Sequence, residues 1–203
     1  MTAPSLTLAA AETAPPTPQQ AVESLNSVAA QLPAESLNHQ FVAAITRLAE
    51  GEFFAPRASA CGLLPVAHKG CRPEVQATLR GLFAKLSTDE TPMVRRAAAS
   101  ALGGIAGSCT PDVVKAELLS VYTTLVGDEQ DTVRQLVVGG APALCKVLKA
   151  TDSVAEVISS LHIASKVSGA APGGCSVGKG GGRKESRCGP SDLFLATALC
   201  MRC

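Results

Sequence analysis

The sequence has no tryptophan, a single tyrosine and only 3% aromatic residues. An interior organised by large rings is therefore excluded. With 46% hydrophobic residues, the core must be built mostly from Ala, Leu and Val. That composition suits close-packed helices better than sheets, which favour aromatic and β-branched side chains. An excess of charge is also missing. The formal net charge of +1 gives no electrostatic footprint for nucleic acid or for an anionic membrane, so neither is expected as a partner. Long apolar runs are absent too: the late stretch "LFLATALCM", residues 193–201, is too short to span a bilayer. The opening "MTAPSLTLAAAETAPPTPQQ" has no basic segment and no Arg, which predicts neither a secretory signal nor a transit peptide. These absences lead to an expected cytoplasmic location, with the nucleus as an alternative, and with the eight cysteines reduced.

Composition divides what is present into three. Residues 1–18 are rich in Pro, Thr and Ala and are expected to be disordered. Residues 19–166 favour helix throughout. Residues 167–203 form a Gly- and Cys-rich tail whose stretch "SGAAPGGCSVGKGGGRKESRCGPSD" lacks large apolar groups and is expected to be a disordered linker.

The middle segment repeats. Val75, Leu79, Leu82, Phe83 and Leu86 lie on one face of a helix. The same stripe recurs 39 residues later at Val114, Leu118, Val121, Tyr122 and Leu125, and 38 residues earlier at Leu37, Phe41, Ala44, Ile45 and Leu48. A weaker copy begins near Val154, Ile158 and Leu161. Second helices of a different kind, rich in small residues, fall between these stripes: Arg57–Val66, Val94–Ala106 and Val133–Leu148. Two helices per period of 38 or 39 residues predict an all-α solenoid of HEAT type, with about three complete helix pairs and flanking single helices. The competing expectation is an ordinary helical bundle. A bundle has no reason to repeat both the stripe and the interval from Asp89 to Arg95 at Asp128 to Arg134.

That interval places each acid where the first helix of a pair ends, with its carboxylate set to cap the second helix. Pro92 suits the first turn of that helix, where a missing N–H costs nothing. Asp89, Arg95, Asp128 and Arg134 are expected to form a ladder, each Arg near an Asp of its own or the adjoining repeat. Gly139, Gly140 and Pro142 predict a kink or break in the third second-helix.

The strings "RLAEGEFF" (47–54), "RASACGL" (57–63), "DETPMVRRAAAS" (89–100), "KAEL" (115–118) and "DEQDTVR" (128–134) together resemble one family, the HEAT-repeat scaffolding A subunit of protein phosphatase 2A. The resemblance runs from about Ala21 to Leu148. It implies a non-catalytic scaffold that holds an interchangeable regulatory B subunit through the turns inside each repeat. It implies the catalytic subunit only where later repeats are present. Carried over by position, the implied contact residues are Glu50, Glu52, Phe53 and Phe54 in the first turn. In the second they are Asp89, Glu90, Thr91, Pro92, Arg95 and Arg96, and in the third Asp128, Glu129, Gln130 and Asp131. Phe53 stands as the exposed aromatic anchor, and Arg95 and Arg96 divide structural and contact roles. Alternatives are a HEAT-repeat adaptor for another protein cargo, or a truncated gene product, since the opening "TPQQ" and the tail depart from the family pattern.

Catalytic or cofactor chemistry finds little support. "GGCSVGKG", 173–180, has the glycines and lysine of a phosphate loop but neither the following Ser or Thr nor flanking strand and helix. "CMRC" at 200–203, with Cys175 and Cys188, supplies one close thiol pair where zinc ribbons use two. His39, His68 and His162 lie in different repeats and are expected at surfaces or turns. No enzyme activity, metal or cofactor is expected. Cys61, Cys71, Cys109 and Cys145 read as small core residues.

Overall fold

A computed structural model describes residues 17–148, 155 and 157–159 of the chain. Among these residues every regular element is helical. Helix α1 (Pro18–Ala29) starts on a reciprocal cap, in which Thr17 accepts from the Gln20 backbone N–H and the Gln20 side chain accepts from that of Thr17. The first pair follows. Its leading helix runs as α2 (Ala34–Ser36), a π-helical turn (Leu37–Phe41) and α3 (Val42–Ala49), and its second helix is α4 (Phe54–Gly70). The second pair is α5 (Pro73–Ser87) and α6 (Pro92–Ala106). In the third, α7 (Pro111–Val113), a π-helical turn (Val114–Leu118) and α8 (Leu119–Val126) lead into α9 (Asp131–Leu148).

Four helices open on a proline, at Pro18, Pro73, Pro92 and Pro111, where its fixed φ is already helical and no N–H is needed. The apolar stripes then fall inward. Leu37, Phe41, Ile45, Leu79, Phe83, Leu86, Val114, Leu118, Tyr122 and Leu125 are all buried, and Val75, Leu82 and Leu48 pack partly against them. The Tyr122 hydroxyl donates to the Val157 carbonyl at 3.2 Å. The turn at 157–159 thus packs on the third pair, with Val157 buried and Ile158 half-buried. Val154 and Leu161 of the weaker stripe lie outside the described residues.

The pairs stack in two layers. Helices α1, α4, α6 and α9 form one layer, each touching the next, while α3, α5 and α8 form the other. The second-helix layer is the tighter because its residues are small. A Cβ added at Gly103 would stand 3.3 Å from the Gly140 Cα, and one at Gly104 would stand 2.9 Å from the Pro65 Cβ. Pro65 and Pro142 both sit inside continuous helices, α4 and α9. Of the kink or break expected at Pro142, the break is absent, and the helix runs through to Leu148. The α9 face around Gly140, Ala141 and Leu144 is buried, and burial of this kind outweighs one missing backbone hydrogen bond.

Cys61, Cys71 and Cys145 are buried and Cys109 half-buried. Cys61, Cys71 and Cys109 are free thiols, whereas Cys145 is disulfide-bonded, against the expectation of reduced thiols throughout. No helix among the described residues is long and apolar enough to cross a membrane. The tail stretch, the phosphate-loop-like glycines, "CMRC" and His162 all lie outside the described residues.

Candidate functional site

The turns inside the three pairs are built on one repeated clamp. Arg57, on α4, donates through Nη1 to the carbonyls of Gly51 and Glu52 in its own turn, at 3.1 and 2.7 Å. Its Nε and Nη2 fork onto the Asp89 carboxylate of the next turn, at 2.8 and 3.1 Å. Arg95, on α6, repeats the arrangement. Nη1 reaches the carbonyls of Asp89 and Glu90, at 2.9 and 3.1 Å, while Nε and Nη2 fork onto Asp128, at 2.6 and 3.2 Å. Each guanidinium thus ties off carbonyls of the turn that follows the first helix and locks two repeats in register. Arg57 is the member that the sequence intervals did not bring out.

The acids complete the turns. Asp89 accepts from the Thr91 N–H and Asp128 from the Gln130 N–H, both at 2.8 Å, each an Asx-type turn two residues long. This differs from helix capping. Thr91 holds the cap position of α6 without a side-chain cap bond, and its hydroxyl instead accepts from Arg57 Nη2 at 3.2 Å. Burial pushes the Asp89 carboxyl up, but the hydrogen bonds from Arg57 and Thr91 and the Arg57 charge outweigh it. The net pKa lies below the ordinary carboxylate value. Asp128 behaves alike, with burial opposed by Arg95, the Gln130 N–H and Arg134. Arg134 keeps half of the pattern. It donates to the Asp128 carbonyl and pairs with Asp131 of its own turn, while its buried Nε has no hydrogen-bond partner among the described residues.

Of the residues that sequence reasoning placed at partner contacts, Asp89, Arg95 and Asp128 are therefore engaged within the array, as is Thr91. Glu50, Glu52, Phe53, Phe54, Glu90, Pro92, Arg96, Glu129, Gln130 and Asp131 are exposed. Phe53 is 75% exposed, although it is the residue that caps α4, and Phe54 is 48% exposed. Met93, beside Pro92, is 52% exposed and was not singled out from sequence. These apolar side chains stand at the starts of adjacent stacked helices, α4 and α6. Beside them a groove of about 650 Å³ crosses α1, α4 and α6 and reaches Leu136 of α9.

A second polar cluster joins repeats on the opposite side of the turns. His68 is buried, not at the surface as expected, and its Nδ1 lies 2.7 Å from the Ser108 Oγ. The Ser108 hydroxyl donates to the Ile105 carbonyl at 2.9 Å, so Nδ1–H is the donor to Ser108. The remaining Nε2 lone pair faces Arg80 Nη1 at 3.4 Å and the Cys109 Sγ at 3.8 Å. Arg80 in turn forks onto Glu117, at 2.8 and 3.2 Å. Burial, then the Arg80 charge, lower the His68 pKa, and Glu117 opposes them. Burial raises that of Cys109, which leaves a protonated and unreactive thiol. Among the described residues no group of three or more His, Cys, Asp or Glu is placed to hold a metal ion.

Comparison with known proteins agrees with this architecture. Residues 79–109, which cover the end of α5, the second turn and α6, match the HEAT repeat model. Over 129 residues the chain is 43% identical to a probable serine/threonine-protein phosphatase PP2A regulatory subunit of Caenorhabditis elegans, covering 64% of this chain and 22% of that protein. It is 49% identical over 87 residues to the serine/threonine-protein phosphatase PP2A 65 kDa regulatory subunit of Drosophila melanogaster, covering 43% of this chain and 15% of that protein. The protein phosphatase 2A scaffold subunit of Dictyostelium discoideum is 38% identical over 104 residues, covering 51% of this chain and 18% of its own length. The chain spans about a fifth of the length of these relatives, none of which is named as a catalytic subunit. It is a chain of stacked helical pairs carrying a HEAT repeat, partially homologous to the 65 kDa regulatory and scaffold subunits of protein phosphatase 2A.

Proposed function

We propose that the chain is a non-catalytic scaffold in a serine/threonine protein phosphatase 2A complex, and that it binds a regulatory B subunit through its intra-repeat turns. One observation carries the reading. The arginine clamps hold the turn backbone rigid, and what they leave free is a line of exposed side chains, Glu52, Phe53, Phe54, Pro92 and Arg96, beside the exposed Glu90, which pairs loosely with Arg57 at 3.7 Å. An exposed aromatic on a fixed backbone loses little freedom on burial and makes a strong anchor. Arg96, which lines one groove with Phe54 and forms no ion pair among the described residues, favours an acidic rim on the partner. In this reading the array, residues 19–166, is the part that meets the partner, opened by the Thr17 cap and Pro18 of α1, and residues 1–16 and 167–203 are linkers.

The test is capture of purified regulatory B subunit by the full chain. Replacing Phe53 by Ala and Arg96 by Glu together should weaken capture by about tenfold or more, the loss expected for an anchor and a reversed rim charge. Circular dichroism should stay unchanged because both side chains are exposed. Undiminished capture by the double variant, or direct capture of the isolated catalytic subunit, would sink the proposal.

A further inference from the structure

We infer that the groove across α1, α4 and α6 is a docking site for a partner polypeptide segment carrying apolar side chains beside a single carboxylate. The assignment rests on the reading that this edge of the array meets a protein, and it specifies the chemistry of what is met. Val22, Phe54, Met93 and Leu136 supply the apolar lining. The floor is low because the residues between them are small, Ala58, Gly62 and Ala97 among them. Neighbouring helices pack about 8–10 Å apart, so a groove crossing three of them suits a segment of roughly eight extended residues at about 3.3 Å each.

Charge sets what such a segment must carry. Met93, Arg96, Ala97 and Ser100 line the groove from one face of α6, at the three- and four-residue spacings of a helix surface. Arg95 is spent on Asp128, but Arg96 forms no ion pair among the described residues. Among the described residues it is the only cation in the lining, and Glu23 on α1, which also forms no ion pair among them, is the only anion. The groove is therefore positive at its α6 end, negative at its α1 end and apolar between. A segment with its carboxylate over α6 and no acid over α1 matches both ends, and one with the charges exchanged at fixed direction meets like charge at each.

Fluorescence anisotropy on the full chain tests this with two labelled ten-residue peptides. One has Asp near one end, two leucines in the middle and Lys near the other end. The control has Lys in place of the Asp. The Asp peptide should bind at least about tenfold more tightly than the control, and Met93→Asp should weaken it by about tenfold. Arg96→Glu should reverse the preference in favour of the control. Phe53→Ala, outside the groove lining, should leave peptide binding unchanged while it lowers B-subunit capture, so each proposal fails separately. Equal binding of the two peptides, no binding of the Asp peptide, or no response to Arg96→Glu would overturn the inference.

Discussion

Arg95 reaches Asp128 across 33 positions of sequence, forking onto its carboxylate at 2.6 and 3.2 Å, while its third nitrogen holds the Asp89 carbonyl at 2.9 Å. One side chain therefore fixes its own turn and its neighbour's. An exposed salt bridge contributes little, but here the Asp128 side chain is only 6% exposed. Its loss would leave Arg95 with unmatched donors in a half-buried position.

Replacing Asp128 by Ala should accordingly lower unfolding stability by about 1–3 kcal/mol, the cost of stranding buried polar groups. Glu90→Ala, at a side chain 89% exposed, should change it by less than about 0.5 kcal/mol. Urea midpoints at constant slope decide the matter. The Asp128 variant should also be less acid-sensitive. The folded Asp128 pKa lies below its ordinary value, so its contribution is present above about pH 3.9 and lost as pH falls through the folded value.

His68 should give a second pH dependence at a higher range. Its folded pKa is lowered, so the unfolded chain binds the extra proton first. Stability should be complete above about pH 6.5 and fall as pH drops below it towards the folded value. Protonated Nε2 would point at Arg80 and weaken its fork with Glu117. Comparing urea midpoints at pH 7.5 and 5.5, His68→Gln should lose less than the unmodified chain. An equal loss would show that His68 is not the titrating group.

Two glycines should respond oppositely to the same change. Gly139 lies inside α9 with open space where a Cβ would go, so Gly139→Ala should stabilise by about 0.5–1 kcal/mol. At Gly104 the added carbon would meet the Pro65 ring at 2.9 Å, and Gly104→Ala should destabilise by about 1–3 kcal/mol through overpacking between α4 and α6. Thermal midpoints of the two variants should move in opposite directions.

The amino-acid pattern was enough to determine the helices and their pairing. Apolar stripes at 38- and 39-residue offsets have no other economical solution than stacked pairs, because one amphipathic pair cannot bury its face alone. Proline at the first helical position marked the start of α6 at Pro92, and the structure shows the same device at Pro73 and Pro111. The interval from Asp89 to Arg95 was legible as well, and with it a ladder of each Arg near an Asp of its own or the adjoining repeat, but not which of the two partners it takes. The six-residue spacing exists because Arg95 returns to the Asp89 carbonyl. The charge of Asp89 goes to Arg57 of the preceding repeat. A backbone acceptor carries no residue signature, so only the stacked structure could separate the two partners. The same holds for His68, which is made a buried donor by Ser108, 40 positions away. It holds too for Met93 and Arg96, whose place in one groove depends on how closely small residues let α4 and α6 approach. Sequence period sets which helices form, while long-range packing decides which of their side chains are spent and which remain free.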